Sequence, residues 1–254
     1  MSRTSVTEAL ILRASRVGEY HKQLLLLTPD AGLVKALAFG AFKGKSRLVS
    51  ASDPYSHARV HLYRNPVRDL FKVSDIEVIH TYEGLRNDLE RSYAAALLSE
   101  VLASSYAGGG PDYRYPFGLL RRTLWYLETG DRREGRRGVF QFLLRFLLHS
   151  GFLGAPGECG RCGTGFGPFD EVLFDSRDGE LICTACSVEG ALPVSAGVRR
   201  YMEGAMKFPL SQALEIGIDD SLEQGLVDLL RELLQGTLNL QLKSFEIYFG
   251  IPVS

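Results

Sequence analysis

The chain has 254 residues, 45% of them hydrophobic, and a formal net charge of -1, enough apolar material for one large core or two to three small ones. No run of about 18 apolar residues occurs, and the opening MSRTSVTEAL lacks the charged-then-apolar pattern of a secretory leader. Neither a membrane span nor export is expected, and the cytoplasm is the default. The near-neutral total hides an asymmetry: residues 1–80 carry 12 Lys+Arg against 7 Asp+Glu, and residues 81–254 carry 17 against 23. A basic amino-terminal third suits a polyanionic partner, although a solvated face can have the same composition.

From Val6 to about His80 the sequence predicts five short strands, at Ala9–Leu12, Gln23–Thr28, Leu33–Phe39, Ala58–Tyr63 and Leu70–Val78. Turn residues separate them at Pro29-Asp30-Ala31-Gly32, Gly40 to Gly44 and Asn65-Pro66. Five strands at this spacing predict a small barrel over residues 1–80, of which the OB-fold is the likeness of that size and a frequent oligonucleotide binder. After Tyr82 the period lengthens. Leu85, Leu89, Tyr93, Leu97 and Val101 recur every four residues, as one face of a helix does. Gly108-Gly109-Gly110-Pro111 interrupts it, and two further helices are expected, from Pro116 to Leu127 and from Gly138 to His149. The last is apolar almost all round and reads as core.

Residues 157–190 are Gly-rich and interrupt a helical domain whose two parts are expected at 81–156 and 191–254. Helix is expected again over Ala196–Lys207, and Ser221-Leu222-Glu223-Gln224 reads as a capping box opening a helix that turns Leu226, Leu229, Leu230, Leu233 and Leu234 inward. Lys243–Ser254 is a tail without an assignment. The fold class expected is therefore α+β, a five-stranded barrel followed by a helical domain that carries a cysteine-bearing insertion.

Cys159, Cys162, Cys183 and Cys186 form two C-x2-C pairs. Two residues between cysteines let both thiolates face one tetrahedral ion, so the pattern points to a single zinc. A hairpin of Glu171–Phe174 with Glu180–Cys183, turning at Ser176 to Gly179, would bring the second pair to the first. Four thiolates fill the coordination shell and leave no place for a reactive water, so the zinc would be structural. Disulfides do not suit a cytoplasmic chain, and a thioredoxin-like site needs one such pair in a strand-helix-strand setting.

No catalytic constellation emerges, and the chain is expected not to be an enzyme. Gly44-Lys45-Ser46 ends like a phosphate loop, but Phe39 stands where that motif needs glycine. His57 and His61 read as surface or turn residues rather than metal ligands. Lys35, Lys43, Lys45 and Arg47 instead cluster with Phe39 and Phe42 on one barrel edge, where cations track phosphates and rings stack bases; the competing role for Phe39 and Phe42 is barrel core. Arg132, Arg133, Arg136 and Arg137 read as a solvated loop between helices, with auxiliary DNA contact as the alternative.

Taken in order, Gly18-Glu19, Leu27-Thr28 with Gly32, Gly40 with Lys45-Ser46-Arg47-Leu48, Leu147-Leu148 with Gly151-Phe152, and Gly179-Glu180-Leu181-Ile182-Cys183 resemble the RecO family of bacterial recombination mediators over nearly the whole chain. The resemblance implies an OB-fold that binds single- and double-stranded DNA, a helical domain, and a zinc motif that some members lack. It further implies strand annealing, RecA loading with the partner RecR onto DNA coated by single-strand-binding protein, docking of that protein's acidic and hydrophobic tail, and a nucleoid-associated location. RecF and, indirectly, RecA are further candidate partners. Lys35, Lys43, Lys45 and Arg47 fall in the family's basic DNA-contact region, whereas Phe39 departs from a basic residue and substitutes stacking for a phosphate contact. The reading from a different class is a zinc-ribbon adaptor acting by protein contacts alone. Replacing Lys43, Lys45 and Arg47 with Ala is expected to weaken DNA binding and to reduce the salt slope by nearly one unit per lost phosphate contact, measured by anisotropy over a salt series.

Overall fold

The computed structural model describes residues 3–42, 51–65, 70–105 and 113–250. Lys43, Lys45 and Arg47 lie outside these residues. The chain divides into two compact units, Met1–Asp131 and Arg132–Ser254. Among the described residues no helix is long and apolar enough to cross a membrane.

In the first unit β1 (Thr4–Val17), β2 (His21–Thr28), β3 (Gly32–Ala38), β4 (His57–Asn65) and β5 (Leu70–His80) close a barrel in the order β1-β2-β3-β5-β4. β1 is long enough to pair with β2 through Leu10–Val17 and with β4 through Thr4–Leu10, which is what shuts the barrel. A register shift between Ile11 and Arg13 lets one strand serve both neighbours. Side chains alternate, so the lumen fills with Ala9, Ile11, Leu24, Leu26, Val34, Ala36, Ala38, Ala58, Val60, Leu62, Val73 and Ile76. Gly32 opens β3 with φ 67°, and the Tyr113 ring occupies the place a Cβ would take.

Among the described residues three helices follow the barrel: α1 (Glu83–Arg86), α2 (Leu89–Ser105) and α3 (Arg114–Thr129). The four-residue period does not run through as one face. Asp88 caps α2, its carboxylate accepting from the Arg91 amide at 2.9 Å, so Leu85 belongs to a separate turn and Leu89, at the first helical position, is 70% exposed. Leu97 and Val101 are fully buried as expected. Arg91 donates to the carbonyls of Glu128 and Gly130, satisfying the orphan end of α3. His57 is a correction: it is 4% exposed within β4, with Nε2 3.1 Å from the Glu8 carboxylate. Burial lowers its imidazole below the ordinary value, against the opposing pull of Glu8.

The second unit is built on α4 (Arg132–His149). Val139, Phe140, Phe142, Leu143, Leu144, Phe146 and Leu147 are fully buried, as an all-round apolar helix requires. Around it come a three-stranded sheet, β6 (Val172–Asp175), β7 (Glu180–Ile182) and β8 (Leu192–Val194) in the order β7-β6-β8, then α5 (Ala196–Lys207), α6 (Leu210–Ala213), α7 (Asp220–Glu232) and α8 (Lys243–Gly250). The expected hairpin forms, with Phe174 opposite Leu181, and β8 joins it from a segment with no strand signal. The cap of α7 is Asp219, whose carboxylate accepts from the Leu222 amide at 2.8 Å, two residues before the expected capping box. An acidic side chain placed one residue ahead of the helix satisfies the same orphan amides. The unassigned tail supplies α8.

Gly32→Ala is expected to destabilise the first unit by at least about 1 kcal/mol, because the left-handed backbone and the Tyr113 ring both oppose a methyl group; urea unfolding measures it.

Candidate functional site

The alternation that sends Val34, Ala36 and Ala38 into the lumen sends Lys35 and Leu37 to the outer wall, with Phe39 following just past the end of β3. Lys35 is exposed, and Phe39 and Phe42 are 44% and 38% exposed. Neither ring is sealed in the barrel core. Register places Lys72 of β5 beside Leu37, and its ammonium lies 5.1 Å from the Phe39 ring. His21 meets that ring edge-on at 4.9 Å, while its Nδ1 accepts a hydrogen bond from the Gly40 amide at 3.0 Å. Arg13 of β1 pairs with Leu25 of β2, and Leu25 with Lys35, so two cations flank one leucine in a row across three strands.

Phe42 sits at the mouth of the barrel, its amide bonded to the Tyr20 carbonyl at 3.1 Å. The Arg16 guanidinium lies 5.3 Å and the Lys22 ammonium 5.2 Å from the centre of its ring. Lys22 is buried and bonded to Asp53 at 3.1 Å, so its charge is held in place. The sequence reading missed Arg13, Arg16, His21, Lys22 and Lys72. Strand alternation carried the signal for Arg13 and Lys72; the register of the β1-β2 hairpin brings Arg16 and Lys22 together. Cations beside half-exposed rings can hold phosphates while bases stack.

The four cysteines do converge. Their sulfurs all lie within 4.8 Å of one another, and Cys162 Sγ is 3.8 Å from Cys183 Sγ. A tetrahedron of sulfurs around an ion at about 2.3 Å has edges of about 3.8 Å, so the set fits one ion. Two turns build it. In the first, the Cys159 amide donates to Thr164 O and the Gly163 amide to Cys159 O, both at 2.8 Å, with Gly163 at φ 72°. In the second, the Cys186 amide donates to Cys183 O at 3.0 Å. The Gly160 amide bonds to Leu181 O at 2.9 Å, tying the first turn to β7, and the Cys183 amide points at Cys159 Sγ at 3.3 Å.

The thiols pull one another's proton affinities apart. Burial raises the Cys159 thiol, but amides of Cys183, Cys162 and Arg161 outweigh it and bring it down to about 6. Hydrogen bonds with Cys183 and Cys162 push Cys186 up to about 12. Crowded sulfurs thus share protons unless a dication replaces them. Two arginines brace the site. Arg161, inside the first pair, bonds to the buried Asp175 at 2.7 Å, and the fully buried Arg199 of α5 donates to Gly167 O and Glu203 beneath the Phe166 ring.

The arginine cluster corrects an expectation. Arg132, Arg133, Arg136 and Arg137 form the opening turns of α4 rather than a solvated loop, and Arg136 is only 4% exposed. Gly135 and Gly138 are buried within this helix. Arg136 is compensated by Glu223 at 3.2 Å, by the Tyr248 carbonyl at 3.0 Å and by the rings of Tyr248 and Phe249.

A family model described as Recombination protein O N terminal matches residues 1–82, and one described as Recombination protein O C terminal matches residues 86–246. The DNA repair protein RecO of Rubrobacter xylanophilus is 30% identical over 222 residues, spanning 86% of this chain and 87% of the relative. That of Pelotomaculum thermopropionicum is 30% identical over 241 residues, 94% and 91% of the two chains. The same named protein of Desulforudis audaxviator is 30% identical over 227 residues, 89% and 88%.

One equivalent of divalent metal per chain is expected to shield all four thiols from a thiol reagent, with the Cys183→Ser chain losing that one-to-one protection. Four thiols that react at the same rate with and without metal would count against the site.

Proposed function

The chain belongs to the recombination protein O family, and on that premise we propose that it is a DNA-binding mediator of recombinational repair that acts without bond-making chemistry of its own. The observation that carries the reading is the barrel's outer wall, where the half-exposed Phe39 ring meets Lys72 and His21 and Lys35 stands exposed farther along β3. Single strands are held on such surfaces by phosphate contacts and base stacking. Annealing follows from the same physics: complementary strands repel until cations neutralise their phosphates, after which pairing itself drives the product. Lys43, Lys45 and Arg47 extend this basic surface in the proposal, and duplex DNA engages it through phosphates alone.

The partners proposed are those of the family: RecR for RecA loading, the tail of single-strand-binding protein, and RecF, in the cytoplasm at the nucleoid. The ion proposed for Cys159, Cys162, Cys183 and Cys186 is zinc in a structural role, since four sulfur donors suit zinc and leave no open position. Its contribution is to hold the two cysteine turns against β7.

Phe39→Ala is expected to weaken single-strand binding by about 1–3 kcal/mol with little change in salt slope, the signature of lost stacking. Lys35→Ala and Lys72→Ala are each expected to lower the single-strand salt slope by about 0.7 per phosphate contact. Anisotropy at several salt concentrations measures both, and strand annealing by the same variants should fall in parallel. Binding that ignores salt altogether would favour the adaptor reading.

A further inference from the structure

A cleft of about 840 Å³ lies in the first unit, between the barrel's outer wall and α2. Its volume falls in the range of about 300–1,000 Å³ typical of small-ligand sites. The wall side carries Leu12, Leu25 and Leu33, with Arg13 and Lys35 among the lining residues. Across from them α2 presents Ala96, Ser99 and Ala103, spaced three and four residues apart and therefore on one face. Small side chains there keep the helix from filling the space against the leucines.

Two independent features say what enters. Apart from Arg13, Lys35 and Glu100 the described lining is uncharged, with Leu12, Leu25, Leu33, Val34 and Phe71 supplying an apolar interior that suits the face of a planar ring. Arg13 and Lys35 flank Leu25 on neighbouring strands, about 10 Å apart along the sheet at roughly 4.8 Å per strand. Glu100 is the one carboxylate among the described lining residues and has an interaction of its own. The site thus offers two cations at its wall and an apolar interior.

We propose that this cleft receives a single unstacked nucleobase of a DNA strand, with the phosphates on either side of that nucleotide held by Arg13 and Lys35. The proposal rests on the reading that the barrel binds DNA, and it adds what that reading lacks, a reason to prefer an unpaired strand. A base inside a duplex is stacked and paired and reaches the cleft only after both are broken, whereas a single strand surrenders one base at little cost. Apolar contact holds the face of any base, so the site distinguishes strandedness without reading sequence.

The test uses the full chain and an oligothymidylate carrying one fluorescent adenine analogue, alone and as a duplex. With the unmodified chain the analogue's emission is expected to change on binding the single strand and not the duplex. Ala103→Leu, which fills the cleft from a half-buried position, should abolish that change and lower single-strand affinity about tenfold, the loss of roughly one base contact, with duplex affinity altered less than about twofold. Melting and metal content of Ala103→Leu confirm its fold. An analogue whose emission is unaffected, or an Ala103→Leu chain that leaves the preference for single strands intact, would overturn the cleft. Absence of salt-dependent binding by the unmodified chain, or DNA affinity unaltered in the Arg13→Ala, Lys35→Ala double variant, would instead overturn the underlying reading of the barrel.

Discussion

Closing five strands into a barrel leaves a lumen wide enough for alanines, valines and leucines and little else, and that limit governs the first unit. Side chains alternate between faces, so whatever the lumen refuses must stand outside. Lys35, Lys72 and Arg13 are outside because their neighbours Ala36, Val73 and Ala14 are within or against the core. Leu10, Leu12 and Leu25 are outside for the same reason, and α2 covers part of that apolar strip while leaving the rest as a cleft. The proposed DNA surface and the helical cover are two answers to one geometric demand.

The second unit solves a different difficulty, the burial of charge. Arg136 and Arg199 are almost wholly removed from water, and each is placed where carboxylate, carbonyl and ring meet it at once. Breaking one partner of such a group leaves a charge without compensation, which costs far more than an exposed pair contributes. These guanidinium groups therefore act as joints. Arg199 fixes the loop beside the cysteine turns to α5, and Arg136 fixes α4 to α8 and α7. The cysteine cluster stands on the first of these joints and on the β6-β7 hairpin, a setting that suits the structural ion proposed for it.

Much of this was legible from residue order. Strand alternation marked the barrel, the C-x2-C pairs marked a site whose sulfurs converge, and the all-round apolar stretch from Val139 to Leu147 marked the core helix. What misled was charge read without partners. Four arginines near two glycines resemble a loop, and only the far-off Glu223 and Tyr248 make a helix of them. His57 likewise looked superficial until Glu8, 49 residues earlier, came to face it. Leu89 kept the helical period yet points to water, because the Asp88 cap moved the start of the helix. β8 carried no signal, since Leu192-Pro193-Val194 is strand only by virtue of an edge already formed by β6. Local pattern is readable from the chain alone; compensation from distant residues is not.

The bond from Arg136 to the Tyr248 carbonyl spans 112 residues. A ribosome adding roughly 5–20 residues per second needs some 6–20 seconds to make the acceptor after the donor has emerged. During that interval the first unit, whose strands all precede residue 81, has every partner it requires, whereas α4 carries a buried-type cation with part of its shell still unmade. The two halves of the molecule are thus set on different clocks, and the apolar helix at the centre of the second waits, exposed, for the chain behind it.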